Sequence, residues 1–234
     1  MGGSRVNVIL QGSGRLFLSS QRSILHIGPH HTLHIDGPAL EGLRNGRNGS
    51  TQDNNNPVVR IQNGEVTMSR GSISGNTNSM VGGIWRFGGG VLVESHIMGS
   101  GILEGRLTMT GGIIKDNRTV GNGGGVLVNG GIFIMQGNAE VSGNHANLWG
   151  GGVFVMGNSA GPWANTRGIF YMMENATVSG NHAENGGGVF VDPSGNSLVT
   201  FRISNGIIHG SSAAVGIRNT AGWGAMLHWE VSVV

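Results

Sequence analysis

A seven-letter phrase occurs four times in this chain: FGGGVLV at 87–93, NGGGVLV at 122–128, WGGGVFV at 149–155 and NGGGVFV at 185–191. Internal repetition limits a fold more tightly than composition does, because each copy must adopt the same local structure and meet its neighbours in the same way. Extending the phrase backwards uncovers the full unit. It reads RLTMTGGIIKDNRTVGNGGGVLV over 106–128, IFIMQGNAEVSGNHANLWGGGVFV over 132–155 and IFYMMENATVSGNHAENGGGVFV over 169–191. An interrupted copy begins EVTMSRGSISGNTNSM at Glu65 and reaches its glycines after an insertion at 81–86.

Each unit holds three short apolar pieces: a tetrad such as IFIM, a segment centred on Ile73, Ile114, Val141 or Val178, and the GGGV(L/F)V stretch. Short β-branched or aromatic runs bounded by Gly and Asn predict strands, and no run shows the 3.6-residue period of a helix. The spacing is 27 residues from Gly125 to Gly152, 35 from Gly90 to Gly125 and 36 from Gly152 to Gly188. The extra length falls between the glycine strand and the next tetrad, in ESHIMGSGILEG from Glu94 and MGNSAGPWANTRG from Met156. A solenoid tolerates loops that leave at one corner without disturbing the stack. One coil per unit, with three parallel strands stacked on those of adjacent coils, is the expected all-β architecture. Roughly 25–30 residues per turn gives about eight coils.

Glycine reaches 46 of 234 residues, against roughly 7% in ordinary globular chains. Valine and isoleucine runs argue against disorder, and the lack of a strict Gly period excludes collagen. A net charge of +2 is small for a phosphate-tracking surface, Arg44 and Arg47 being an example of a local basic patch, so nucleic acid is not an expected partner. Absence of cysteine removes disulfides, thiolate metal sites and thiol nucleophiles. No apolar run long enough for a transmembrane helix occurs, nor does a secretory leader, and the chain reads as a mature region or fragment.

Asn76, Asn117, Asn144 and Asn181 each lie three residues after the centre of the second segment. Stacking would make them a structural ladder, each bonded to the corner above or below. The glycine triplet precedes a strand, whereas phosphate loops precede a helix; its expected role is a tight corner with close backbone approach. Alternation sends Val126 and Val128 inward and Leu127 outward. The same assignment exposes Leu92, Leu127, Phe154 and Phe190 in a row that needs either a cover or a partner. That row, together with Trp163, His145 and His182, is the candidate binding face; the insertions carrying Ile97, Met98 and Trp163 are the alternative cover. Upstream, VNVIL, RLFL, SILHI and TLHI look like strands of earlier coils. The organisation expected is a single domain over 1–234: irregular N-terminal coils and a polar loop over 1–57, clear repeats over 58–210, and a terminal strand or partial cap over 211–234.

Chemistry is harder to place. Paired-carboxylate hydrolysis needs two acids within ~5–9 Å, yet the equivalents of Asp116 are Gly75, Gly143 and Gly180, and those of Asp192 are Glu94, Asn129 and Met156. Asp36 and Glu41, near histidines, mark the N-terminal coils as the least excluded place for a site. HIGPHHTLHID supplies His26, His30, His31 and His34, of which His26 and His34 are weak metal candidates without a carboxylate or thiolate complement. His145 and His182 follow the ladder asparagines in successive coils and are expected to stack, exposed. No serine can be given both a base and an orienting acid. Thr67, Thr108 and Thr177 do not form the flat array that ice binding would need. No catalytic residue and no cofactor are expected.

GGGVFV, SGNHAENGGGV and TMTGGIIKDN resemble the right-handed parallel β-helix repeats of the pectin-lyase-like superfamily, above all the glycine-rich repeats of large bacterial surface proteins, including spirochaete repeat proteins and autotransporter passengers. The resemblance covers 58–210. This chain has GGGV where the polymorphic outer-membrane family carries GGAI. The lyase branch implies Asp ligands for calcium and a catalytic Arg, and no motif here places either. What the resemblance implies is a non-catalytic structural or adhesive module, extracellular or at the cell surface. Its partners would be a glycan, a host or surface protein, or another copy through sheet edges or the apolar strip. A polysaccharide lyase or hydrolase-like domain, or a truncated scaffold of one, is the alternative.

Overall fold

The computed structural model describes residues 5–43, 53–79, 88–98, 101–157, 166–192, 199–210 and 212–223. Arg44, Arg47, the 81–86 insertion, Trp163 and everything past 223 lie outside the described residues. The chain winds through seven coils among those described. The first holds β1 (Asn7–Gln11), β2 (Arg15–Phe17) and β3 (Leu25–Ile27); the second β4 (Thr32–Glu41) and β5 (Val59–Gln62). The third holds β6 (Glu65–Ser74), β7 (Thr77–Asn78) and β8 (Val91–Glu94), and is followed by an antiparallel hairpin of β9 (His96–Met98) and β10 (Gly101–Leu103). Next come β11 (Arg106–Met109), β12 (Ile113–Lys115), β13 (Arg118–Thr119) and β14 (Val126–Asn129), then β15 (Ile132–Met135), β16 (Glu140–Ser142), β17 (His145–Ala146) and β18 (Val153–Met156). The sixth coil is β19 (Gly168–Met173), β20 (Thr177–Ser179), β21 (His182–Asn185) and β22 (Val189–Val191); the seventh is β23 (Val199–Ser204), β24 (Ile207–Ile208) and β25 (Thr220–Trp223).

Apart from the hairpin, these strands form three parallel sheets. The 12-stranded sheet carries two ladders, from the tetrads and from the second segments. They run continuously in β4 and β6 and separate in later coils. The six-stranded sheet contains the GGGV strands and the five-stranded sheet is β7-β13-β17-β21-β25. This last ladder is not anticipated from the apolar pieces, because its inward residues are small or polar: Asn78, Thr119, Ala146 and Ala183. A small residue two places after each ladder asparagine is the signal that marks it.

Strict alternation builds the core. Arg106 and Thr108 face outward while Leu107 and Met109 are buried, and in register Leu107 lies between Val66 and Phe133. The row continues through Phe170 to Phe201, with rings stacked at 5.0 Å and 9° for Phe133–Phe170 and at 5.0 Å and 12° for Phe170–Phe201. Burying each such side chain contributes about 1.5–3 kcal/mol.

The asparagine ladder forms, and it extends one rung further than the repeat reveals, to Asn219. Asn117 N donates to Asn144 Oδ1 at 3.1 Å, Asn144 N to Asn181 Oδ1 at 2.9 Å and Asn181 N to Asn219 Oδ1 at 2.9 Å. Each Nδ2 also reaches back to a carbonyl of the preceding coil: Asn144 to Ile114 at 2.9 Å, Asn181 to Val141 at 3.0 Å. Peptide groups at an otherwise apolar corner are thereby satisfied. At the other end the pattern stops, since Asn76 Oδ1 is buried without a hydrogen-bond partner.

The glycine triplet stands where side chains would not fit. In WGGGVFV, Gly150 adopts φ 66°, and a Cβ there would lie 2.8 Å from Phe154 Cα. A Cβ on Gly151 would fall on the carbonyl oxygens of Gly187 and His182 in the next coil, and one on Gly152 would lie 2.9 Å from the Asn181 amide nitrogen. The first glycine lets the corner fold back over its own strand; the other two let coils approach across the ladder.

That fold-back corrects the expected exposure of the outward row. Leu92, Leu127, Phe154 and Phe190 do align in register, but they are 3%, 0%, 0% and 8% exposed. The indole of Trp149 stacks on Phe154 at 6.0 Å and on Phe190 at 5.8 Å. The row is a second small core outside the solenoid wall, so these four side chains do not offer an open binding face.

Candidate binding groove

At the corner between the six-stranded sheet and the first ladder, every coil must turn sharply into its next tetrad. His30 (φ 65°), Asn63 (φ 60°) and Gly130 (φ 73°) supply left-handed backbone there. The following residues stack by backbone bonds: Glu65 N to His31 O at 3.1 Å, Arg106 N to Gly64 O at 2.9 Å, Ile132 N to Gly105 O at 2.9 Å. Thr32, Glu65 and Arg106 are consequently brought into register on the outward face, with Asn7 below them.

An open cavity of about 310 Å³ lies along this corner and spans four coils, from Arg5 and Asn7 past His30, His31, Asn63 and Glu65 to Glu104 and Arg106. A second, of about 410 Å³, shares Glu104 and continues past Gly130 to Arg167, with Ile102 and Leu103 of the hairpin contributing to its wall. The corner insertion thus builds part of the groove. His31 Nδ1 accepts from Val6 N at 3.3 Å, so the neutral ring carries its proton on Nε2. Thr32 Oγ1 donates to Asn7 Oδ1 at 2.7 Å, and Arg106 Nη2 lies 3.7 Å from Glu104 Oε2. Cationic, carboxylate, imidazole and amide groups line the first cavity.

Glu65 and Glu104 line one cavity, a convergence that reasoning from equivalent positions misses. The stacking equivalents of Glu65 are Thr32 and Arg106, and Glu104 arrives at the end of the insertion. By contrast, Asp116 sits at the left-handed position occupied by Gly75, Gly143 and Gly180, with φ 54° against 66°, 64° and 63°. Its place is explained by backbone geometry. Glu94 is 1% exposed and bonded to Arg60 at 3.0 and 2.8 Å.

On the outer face of β4 and β6 a second polar cluster gathers. Ser69 Oγ donates to Asp36 Oδ1 at 2.9 Å and lies 2.9 Å from His34 Nε2, while Arg70 grips both Asp36 oxygens at 2.7 and 3.0 Å. A serine does therefore meet both an imidazole and a carboxylate, contrary to the reading of the sequence. Its proton is committed to the carboxylate, however, whereas an activated nucleophile gives its proton to the imidazole. The Arg70 and Ser69 hydrogen bonds hold the Asp36 carboxyl at about 2. Because this folded value lies below the unfolded one, the stabilisation is present above pH ~4 and is lost as pH falls through about 2. In Arg70→Ala the Asp36 carboxyl is expected to titrate measurably closer to its ordinary value, read from its side-chain NMR shift against pH. An unchanged midpoint would remove Arg70 as the cause.

His26 and His34 stand on different sheets with different partners, His26 Nε2 on Gln62 Oε1 at 3.0 Å and His34 on Ser69. They do not form one site, and among the described residues no group of three His, Cys, Asp or Glu is arranged to hold a metal. His145 and His182 are register neighbours with ring centroids 4.8 Å apart, but the rings are tilted by 30° and not stacked, His145 is half-buried, and their strands belong to the five-stranded sheet, whereas Phe154 and Phe190 lie on the six-stranded one. Burial, then Arg118 and His182, hold His145 below the usual imidazole range. Thr67 and Thr108 align, whereas Thr177 faces Glu140 on another ladder.

The fold and groove together define a parallel β-helical scaffold with a polar corner track. Comparison with protein-family models, with curated proteins and with solved structures finds no match.

Proposed function

We propose that this chain is a non-catalytic module of a bacterial surface or secreted protein, and that it binds an extended glycan along the corner groove. The winding would be right-handed, as strand–crossover–strand connections are in ~98% of cases. The observation that carries the reading is the open cavity lined by polar side chains of four successive coils, from Arg5 to Arg106. Solenoids use such long lateral surfaces for extended ligands. Localisation at the cell surface rests on the repeat resemblance.

Glycan-array screening followed by calorimetry on the strongest ligand tests the proposal. Arg106→Ala should weaken binding about tenfold or more, the loss of one charge-assisted hydrogen bond being roughly 1.5–3 kcal/mol, and His31→Ala by about two- to tenfold, a neutral hydrogen bond being roughly 0.5–1.5 kcal/mol. Arg118→Ala, on the five-stranded sheet, should leave it unchanged. No binding by a folded protein would end the proposal.

A carbohydrate-active enzyme is the second reading, favoured by the shared cavity of Glu65 and Glu104. It requires turnover of a polysaccharide that both Glu65→Gln and Glu104→Gln abolish. Binding without turnover decides for the first reading.

A further inference from the structure

On the outer face of the five-stranded sheet one register row reads Thr77, Arg118, His145, His182 and Thr220. A permanent cation and two imidazoles thus occupy three consecutive strands, which stack ~4.8 Å apart. The His145 and His182 rings meet at a centroid distance of 4.8 Å. His145 Nε2 lies 3.2 Å from Asn147 Oδ1, and His182 Nδ1 lies 2.7 Å from Thr220 Oγ1, so neither of these contacts brings a negative charge. The charged or titratable groups on the strands packed against β17 are Arg118 on β13 and His182 with the exposed Glu184 on β21. β7 and β25 bring none. Asp116 stands at the corner before β17, its Oδ1 2.7 Å from where a Cβ on Gly143 would lie.

This sheet is also the weakest wall of the solenoid. β7, β13 and β17 are two residues long, and the buried side chains Asn78, Thr119, Ala146 and Ala183 give it little apolar area to oppose a force that parts its strands. The other sheets are held by rows of Val, Leu, Ile, Met and Phe. We infer that the Arg118–His145–His182 row is an acid-sensitive release: when both imidazoles are protonated, three like charges on neighbouring strands loosen the five-stranded sheet while the other two sheets hold. Like charges directly opposite on adjacent strands are destabilising, and half-burial of His145 limits their screening by water. Burial, then Arg118 and His182, already hold His145 below the usual imidazole range. A histidine whose folded value is depressed takes its proton more readily in the unfolded chain. Its contribution is therefore intact above pH ~6.5 and is lost as pH falls through the folded value. The row lies in central coils and acts through the distance between its own groups, at a different sheet from the corner groove.

Amide hydrogen exchange on the intact chain at about pH 7.5 and about pH 5, corrected for the intrinsic pH dependence of exchange, tests this. The His145, Asn147 and His182 amides bond across the sheet to Asn117 O, Thr119 O and Asn144 O at 2.8, 3.0 and 2.8 Å. Their protection should fall about tenfold or more in acid, the equivalent of a titration displaced by one pH unit. The Val126 and Val153 amides, bonded to Gly152 O and Gly188 O at 2.9 Å in the six-stranded sheet, should keep theirs. His182→Gln removes one charge at an exposed position and should retain most of the protection in acid. In the same variant the His145 imidazole should titrate at higher pH than in the parent, read from its ring-proton NMR shifts. If that variant does not fold, Arg118→Gln supplies the same readout, with His145 again expected to move up. Protection that the parent keeps in acid overturns the inference, as does a His145 midpoint that ignores the substitution. Equal loss across all three sheets would be general acid unfolding and overturns it too.

Discussion

Asn144→Ala is expected to destabilise the protein by roughly 3–5 kcal/mol, among the largest effects available to a single side chain. Asn144 Oδ1 accepts from both Asn117 N and Asn117 Nδ2, each at 3.1 Å, and its own Nδ2 donates to Ile114 O and to Asn181 Oδ1. Alanine leaves two buried donors of Asn117, one backbone carbonyl and the Asn181 oxygen short of partners at a corner that water does not reach. Asn76→Ala provides the contrast. Asn76 ends the ladder and its Oδ1 is already without a hydrogen-bond partner, so truncation removes one unsatisfied atom while releasing Asn56 O and Gly89 O. About 1–2 kcal/mol is expected there. Denaturant unfolding followed by circular dichroism measures both. If the two variants unfold together with the parent, the ladder is not what holds the coils at that corner.

Gly151→Ala is expected to abolish the folded state at that level of the stack. The added methyl would meet the carbonyl oxygens of Gly187 and His182, which belong to backbone and cannot step aside. Moving the coils apart would break Gly151 N to Gly186 O (3.2 Å) and Gly152 N to Gly187 O (3.0 Å) and pull the adjacent ladder amides out of reach. Overpacking alone typically costs about 1–3 kcal/mol, and the lost hydrogen bonds add to it. Soluble yield and the strand signal in circular dichroism should both collapse. Gly14→Ala is the matched control: no atom lies within 4 Å of its Cβ position and its φ is not positive, so a neutral effect or a gain of about 0.4–1 kcal/mol is expected. A well-folded Gly151→Ala protein would mean the coils have slack that the backbone distances deny.

Much of this architecture can be read from local letters because every coil repeats the same local problem. Valines at period two declare which way each strand faces, and an asparagine at constant distance from Ile114, Val141 and Val178 declares the stacking register. Asn219 escaped that reading because the segment before it, Ile207 to Arg218, departs from the unit, although the structure puts its amide in line at 2.9 Å. The short ladder through Thr119 and Ala146 escaped for another reason. Two-residue strands of small side chains carry no hydrophobic signal, and only their neighbours across the stack make them strands.

The candidate groove was far less legible. Its residues occupy equivalent positions of four coils, Asn7, Thr32, Glu65 and Arg106 sharing one register row, but their letters change from coil to coil and Glu104 closes an insertion, so no repeated motif marks the track. The same holds for Ser69 between His34 and Asp36, where the two partners come from the coil before.

By itself, then, the amino-acid order determined the strands of the apolar segments, their inward faces, the coil repeat and most of the asparagine rungs, since each is a short-range consequence of alternation or of a residue's own backbone preference. Which outward side chains stay wet was decided only in three dimensions. Gly150 bends the chain back over Phe154 and Trp149 closes on it, while the corner beside Glu65 is left open. Exposure depends on what another part of the chain lays on top, and alternation along a strand carries no information about that.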